Sequence, residues 1–209
     1  YDSYEIFPAW YFLCPVDCSV QQSCHSFLRV ITEQGKREII TRIGIALLFF
    51  ISLYFVEAGF CGSSVVAKYN NGYGTLDMKK YNLLSVRNVL STMGQEGIMV
   101  YKLYYIMDYI FILFFGLFQI MLIHDVYSFN ENRLVKACII GIPILRGLCD
   151  MIENTILLRT LFTFPKVNEI AIAIAAFFTQ MKLWCIKVWG LLLCIGLIWR
   201  IILHFKKYV

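Results

Sequence analysis

Four stretches of this chain, residues 43–60, 101–123, 134–162 and 170–203, are each long and apolar enough to cross a bilayer as a helix of about 20 residues. The rest of the composition leaves little room for another solution. Hydrophobic residues make up 59% of the 209 and charged residues 16%, against roughly 25% charged in soluble domains. Such a chain has too little polar surface to cover a globule in water. The net charge of +5 sits on Lys and Arg that flank the apolar runs rather than forming a stripe. Anionic lipid headgroups are the natural partner for cations so placed, and nucleic acid is not.

The expected fold is therefore all-α: a four-transmembrane-helix bundle in the lipid bilayer. The last three spans are joined by short connections, which makes them antiparallel neighbours. Residues 61–100 are the only sizeable polar region. Within it, 68–74 is rich in Asn, Gly and Tyr and reads as loop. Residues 81–93 read as a short amphipathic helix in the first extramembrane loop, with Leu83, Leu84, Val86, Leu90 and Met93 on its apolar face and Gly94 as its stop. It packs against the helix ends or caps the bundle mouth. The domain reading is an N-terminal extension over 1–35 and a four-span membrane domain over 36–209. In the extension, the apolar stretch 7–13 is broken by Pro8, followed by Pro15, and has no basic region before it. It is a poor signal peptide and reads as an interfacial or partner-docked segment. Basic flanks at Arg29, Lys36, Arg37, Arg42, Arg133, Lys136, Arg200, Lys206 and Lys207 outweigh those at the opposite ends and place both termini on the cytoplasmic or equivalent side.

The eight cysteines are scattered. Cys138, Cys149, Cys185 and Cys194 fall in apolar runs and read as small apolar side chains. Cys14, Cys18 and Cys24, with His25, match neither a zinc spacing nor a redox CxxC. The lack of CxxC also argues against a quinone-reducing thiol oxidoreductase. Gly44, Gly116, Gly141, Gly147 and Gly190 permit close helix contacts, yet none makes a GxxxG pair.

The informative residues are the polar ones inside the spans. Ionisable groups at membrane depth are costly and are functional by default. Counted from the ends facing the long loop, Asp108 lies about 10 Å in, Glu153 about 14 Å, Asp150 about 18 Å and Lys182 about 21 Å, with Arg146 a turn deeper. Three helices thus bring charges to overlapping levels. Arg146, Asp150, Glu153 and Asn154 share one face of the third span, and Thr179, Lys182 and Cys185 share one on the fourth. Tyr104 and Tyr105 lie a turn from Asp108 and can hydrogen-bond its carboxylate. A plain ion-pair network explains part of this, with Asp150 on Arg146 and Glu153 or Asp108 on Lys182. Three acids against two cations leave one acid over, unless Arg159 or Lys187 turns inward.

Other chemistries lack their residues. His25, His124 and His204 sit at span ends or outside the spans, so no Ser-His-Asp set forms. There is no HExxH, and Gly72 and Gly74 lack the strand and Lys of a phosphate loop. Asp108, Asp150 and Glu153 have no further ligand at their depth to complete a metal shell, and no cofactor can be named. Tyr101, Tyr104, Tyr105 and Tyr109 at one end, and Trp199 and Tyr208 at the other, read as interfacial belts. Trp184 and Trp189 read as helix packing.

Gly94-Gln95-Glu96-Gly97 with Tyr101 and Asp108, then Asp150-Met151-Ile152-Glu153-Asn154, Phe164-Pro165 and Lys182, resembles a pattern in a family of small uncharacterised four-span bacterial integral membrane proteins. The resemblance covers about residues 40–205. It implies the four-helix fold and this choice of residues, and carries no established activity. The expected function is a buried site that binds or transfers a small polar, ionic or lipid-headgroup ligand. Asp108, Asp150 and Glu153 supply proton-exchanging or cation-coordinating groups, Asn154 and Tyr105 hydrogen bonds, and Lys182 and Arg146 the countercharge. The alternatives are a structural or assembly subunit with membrane-protein partners, and an intramembrane enzyme using carboxylate acid–base chemistry.

Overall fold

The computed structural model describes the backbone of residues 18–206 and the side chains of 35–203 and 205. Six helices succeed one another along the chain: α1 (Cys18–Ala58), α2 (Ser63–Tyr69), α3 (Leu83–Thr92), α4 (Gln95–Val126), α5 (Arg133–Thr163) and α6 (Glu169–Lys206). No strand occurs among the described residues. The chain divides into two units, 1–43 and 44–209, with the boundary inside α1. The reading of 1–35 as interfacial or docked, and of Cys14, Cys18, Cys24 and His25 as incidental, lies outside the described side chains, as do His204 and Tyr208. The second unit holds all the buried charges that the sequence singles out.

Three helical stretches are long and apolar enough to cross a membrane: Gly35–Tyr69, Gln95–Val126 and Glu169–Leu203. Their outward faces stay apolar, with Leu47 and Phe50 on α1, Ile106 and Leu113 on α4, and Leu191 and Ile195 on α6 all exposed. Water does not tolerate so continuous an apolar surface, and lipid does. The expected third span, α5, is long enough at 31 residues, or about 46 Å, but is not among the three. The reason is its charges. Arg146, Asp150 and Glu153 lower its average hydropathy although all three are buried against other helices.

α5 packs along both α4 and α6. Asp108 meets Asn154 and Ile112 meets Arg146, so α4 and α5 run antiparallel. Glu153 meets Thr179 and Asp150 meets Lys182, so α5 and α6 do too. α4 and α6 are therefore parallel, and Trp189 Nε1 donates to Gln119 O (3.3 Å) and Tyr127 OH to Leu192 O (2.8 Å) across them. At Gly196 a Cβ would stand 2.8 Å from Tyr127 Cε2 and closer still to Val126 Cγ1, which is why that crossing needs a glycine. α1 reaches α4 through Phe49, whose ring stacks on Phe118 at 4.4 Å and on Phe115 at 5.3 Å.

The starts of α3, α5 and α6 are set by side-chain caps, whereas α2 and α4 begin at Gly62 and Gly94 without one. Asn82 Oδ1 accepts from Ser85 N, Asn132 Oδ1 from Leu134 N, and Asn168 Oδ1 from Ala171 N. The short helix in the polar region exists as α3, but its buried side is Val86, Val89 and Leu90, followed by Met93, while Leu84 points out. The stretch before it turns inward rather than lying over the surface. Asn71, Gly72 and Gly74 have positive φ, and the Asn70 carboxamide brackets Gly74 with bonds of 2.7 and 3.0 Å. The resulting reversal delivers Leu76 and Asp77 into the core.

Candidate functional site

The inward loop is held by tyrosines. Tyr101 OH accepts from Leu76 N (2.8 Å) and from Tyr105 OH (3.1 Å), and Tyr104 OH donates to Asp77 Oδ2 (2.9 Å). All three rings are buried. The interfacial belt expected at this end of α4 is thus an internal scaffold, because the loop covers it. Tyr105 gives its hydroxyl to Tyr101 and not to Asp108. Tyr109 is the half-buried member, bonded to Thr155 (2.7 Å).

Below the tyrosines lies the charged layer. Lys182 Nζ is its hub, 2.7 Å from Asp150 Oδ1 and 2.7 Å from Glu153 Oε2. Arg146 Nη1 approaches Asp150 Oδ2 at 3.2 Å, its Nη2 donates to Ile112 O, and its guanidinium covers the Phe115 ring at 4.5 Å. Glu153 Oε1 is 2.6 Å from Thr179 Oγ1 and accepts from Tyr81 OH at 3.3 Å. Burial, with Glu153 beside it, pushes the Tyr81 hydroxyl well above its ordinary range, so it remains a donor. Asn154 Nδ2 donates to Asp108 Oδ2 at 2.6 Å. Arg159 and Lys187 are exposed and do not join.

These groups border a cavity of about 490 Å³, within the range of small-molecule sites. Its wall takes Asp108 from α4, Arg146 and Asp150 from α5, Lys182 from α6 and Asp77 from the loop, with Phe111 and Phe115 as apolar lining. Exposed Glu57 and Lys79 stand on its rim; Lys79 is turned onto the Tyr73 carbonyl and ring. Of the residues read from sequence, Asp108, Asp150, Arg146 and Lys182 share this wall, and Tyr105 lies outside it. Glu153 and Asn154 sit behind it, the first under Lys182 and Thr179 and the second against Asp108.

Asp77, Tyr81 and Tyr104's bond to the loop are additions of the structure. Asp77 is the sole acid between Glu57 and Glu96, and apolar Leu76 and Met78 flank it. That isolation was the available signal. With Asp77 the layer holds four acids against two cations. Asp150 takes both cations and Glu153 shares one, whereas Asp77 and Asp108 receive only neutral donors, Tyr104 and Asn154. One oxygen of Asp77 is buried without any hydrogen-bond partner. Among the described residues, no three or more His, Cys, Asp or Glu gather closely enough to hold a metal ion. No protein-family model, curated protein or solved structure matches the chain.

Proposed function

We propose that this chain crosses the membrane four times and binds, or passes on, a small polar ligand bearing positive charge in the cavity between Asp77 and Asp108. The observation that carries the reading is the pairing pattern. Two buried carboxyls in the wall of a small-molecule-sized space have no cation of their own. Leaving a buried carboxylate unpaired costs several kcal/mol, which a bound cation would offset. Carboxyls spread around a space of this size suit an ammonium or guanidinium group better than a bare metal ion, which needs its ligands converging at 2–3 Å. Phe111 and the rim apolar residues would take the ligand's carbon skeleton. Asp150, Arg146 and Lys182 in the wall, with Glu153 behind them, form a neutral set that holds the geometry.

A fourth crossing at α5 is supported by its length and its place between two helices that are apolar enough to span. On this reading α3 and the inward loop lie in the first extramembrane connection, and both ends of the four-span domain share the cytoplasmic or equivalent side.

The test is a thermal-shift screen of the detergent-purified protein against ethylammonium, tetramethylammonium and guanidinium salts, in wild type and Asp108→Asn. A bound ligand raises wild-type Tm by mass action, and the neutral carboxamide removes the rise. If none of these cations shifts wild type beyond an equal concentration of sodium salt, the reading fails. The second reading, a structural subunit, is favoured by the neutral Asp150–Arg146–Lys182–Glu153 set. It predicts no shift with any cation, and an assembled but less stable Asp150→Asn protein.

A further inference from the structure

A second concavity, about 580 Å³, lies at the turn between α5 and α6. Three cations from three elements border it: Arg87 of α3, Arg159 of α5 and Lys166 of the connection. Thr160 and Asn168 add polar groups, and no Asp or Glu is in the wall. Several other cations of the second unit are engaged within the chain. Arg146 and Lys182 are ion-paired, Lys102 and Lys187 lie over the Phe162 and Trp184 rings, and Arg200 donates to Asp125 O. Arg87, Arg159 and Lys166 form no ion pair among the described residues.

The turn beneath them is tightly bonded. Phe164 N donates to Thr160 O (2.9 Å), Lys166 N to Thr163 O (2.9 Å), and Thr163 Oγ1 to Lys166 O (3.0 Å). Asn168 commits its carboxamide oxygen to the α6 cap, which leaves its NH2 to donate. The charged and amide side chains of the groove therefore offer donors, on a fixed frame. Its height follows from α6, whose apolar run begins at Ile170 immediately after the groove. The end of an apolar span is the level of lipid headgroups.

We propose that this groove binds a phosphate group, that of an anionic membrane lipid, with Arg87 and Arg159 as the forked donors and Lys166 as the third charge. Guanidinium groups match phosphate oxygens bidentately, and lipid phosphates lie at the level of a span end. This site is independent of the acidic cavity. A phosphate carried by a soluble molecule presents the same chemistry, so the experiment separates the two sources.

Native mass spectrometry of the detergent-purified protein would be titrated with phosphatidic acid and, separately, phosphatidylcholine, with and without excess inorganic phosphate. Wild type is compared with Arg87→Gln/Arg159→Gln and with Lys68→Gln/Lys80→Gln, which removes equal charge from exposed positions outside the groove. Wild type should prefer phosphatidic acid, and the groove variant should bind it about tenfold or more weakly while the control binds as wild type. Lipid that resists inorganic phosphate identifies the membrane as source. Displacement by inorganic phosphate, itself bound and lost in the groove variant, keeps the site and assigns it to a soluble phosphate. Equal losses in groove variant and control, or no preference for phosphatidic acid and no phosphate binding, overturn the proposal. The arginines are exposed, so unchanged Tm in both variants shows that folding does not decide the result.

Discussion

Among single residues, Lys182 decides whether the charged layer is tolerable. It answers two carboxyls from α6, one of them fully buried. Lys182→Met keeps the length of the side chain and leaves Glu153 with neutral donors alone, so it should cost about 3–5 kcal/mol, measured by reversible unfolding in mixed micelles. Glu153→Gln is the instructive partner. Its amide oxygen can accept from Lys182 while its NH2 donates to Thr179 Oγ1, whose own proton goes to Ala175 O, and the loss should be about 1 kcal/mol. If both substitutions cost the same, the lysine is not the hub. Most members of this layer were legible in the sequence, since Arg146, Asp150, Glu153, Asn154 and Lys182 break apolar runs at helical spacing. Their division into cavity wall and support was not, because spacing says which face a residue shares and not whether another side chain lies in front of it. Tyr105 illustrates this. Its distance from Asp108 along the helix permitted a bond, and the hydroxyl of Tyr101 on the same face took it instead.

Among the helices, the close approach of α2 to α4 positions the loop that carries Asp77. The contact rests on Gly97, where a Cβ would stand 2.7 Å from Tyr69 Cβ and 3.2 Å from Met93 Cβ. Gly97→Ala should therefore destabilise by about 1–3 kcal/mol and also weaken any ammonium binding, since α2 anchors the loop through the Gly72 N to Ala67 O bond. Gly116→Ala, on the same helix with nothing within 4 Å of its Cβ, should leave both unchanged. A Tm scan of the two variants with and without the cation checks this. Long helices were readable because their apolar runs are continuous. The close-packed glycines were not: Gly97 and Gly196 make the tight contacts, while Gly44, Gly116, Gly141 and Gly190 have nothing within 4 Å of a Cβ and Gly147 only Ile112 at 3.8 Å. Helix crossings are set by where neighbours come near, and a lone chain pattern does not contain that. The loop was hidden for a similar reason: its Asn and Gly residues announce a turn, but only the buried tyrosine hydroxyls give Asp77 a partner for turning inward.

For the molecule as a whole, the proposed four crossings rest on helix direction as much as on hydropathy. α4 and α6 are both apolar enough to span and run parallel to each other. On the proposed reading, α5 comes back across the bilayer between these two parallel helices, and it lies antiparallel to both. Its charges do not forbid this, because Arg146, Asp150 and Glu153 are turned from lipid and matched within the bundle, as intramembrane ions must be. The prediction is an alternation of sides. Compartment-sensitive reporters fused after Asn130 and at the C-terminus should report the same side, and one fused after Val167 the opposite side. With only three crossings, α5 would lie along one surface. The Asn130 and Val167 reporters would then agree, and the C-terminal one would differ. That second pattern would require α4 and α6 to cross in opposite directions and would break the Asp150–Lys182 and Glu153–Thr179 contacts. It would remove the cavity as well.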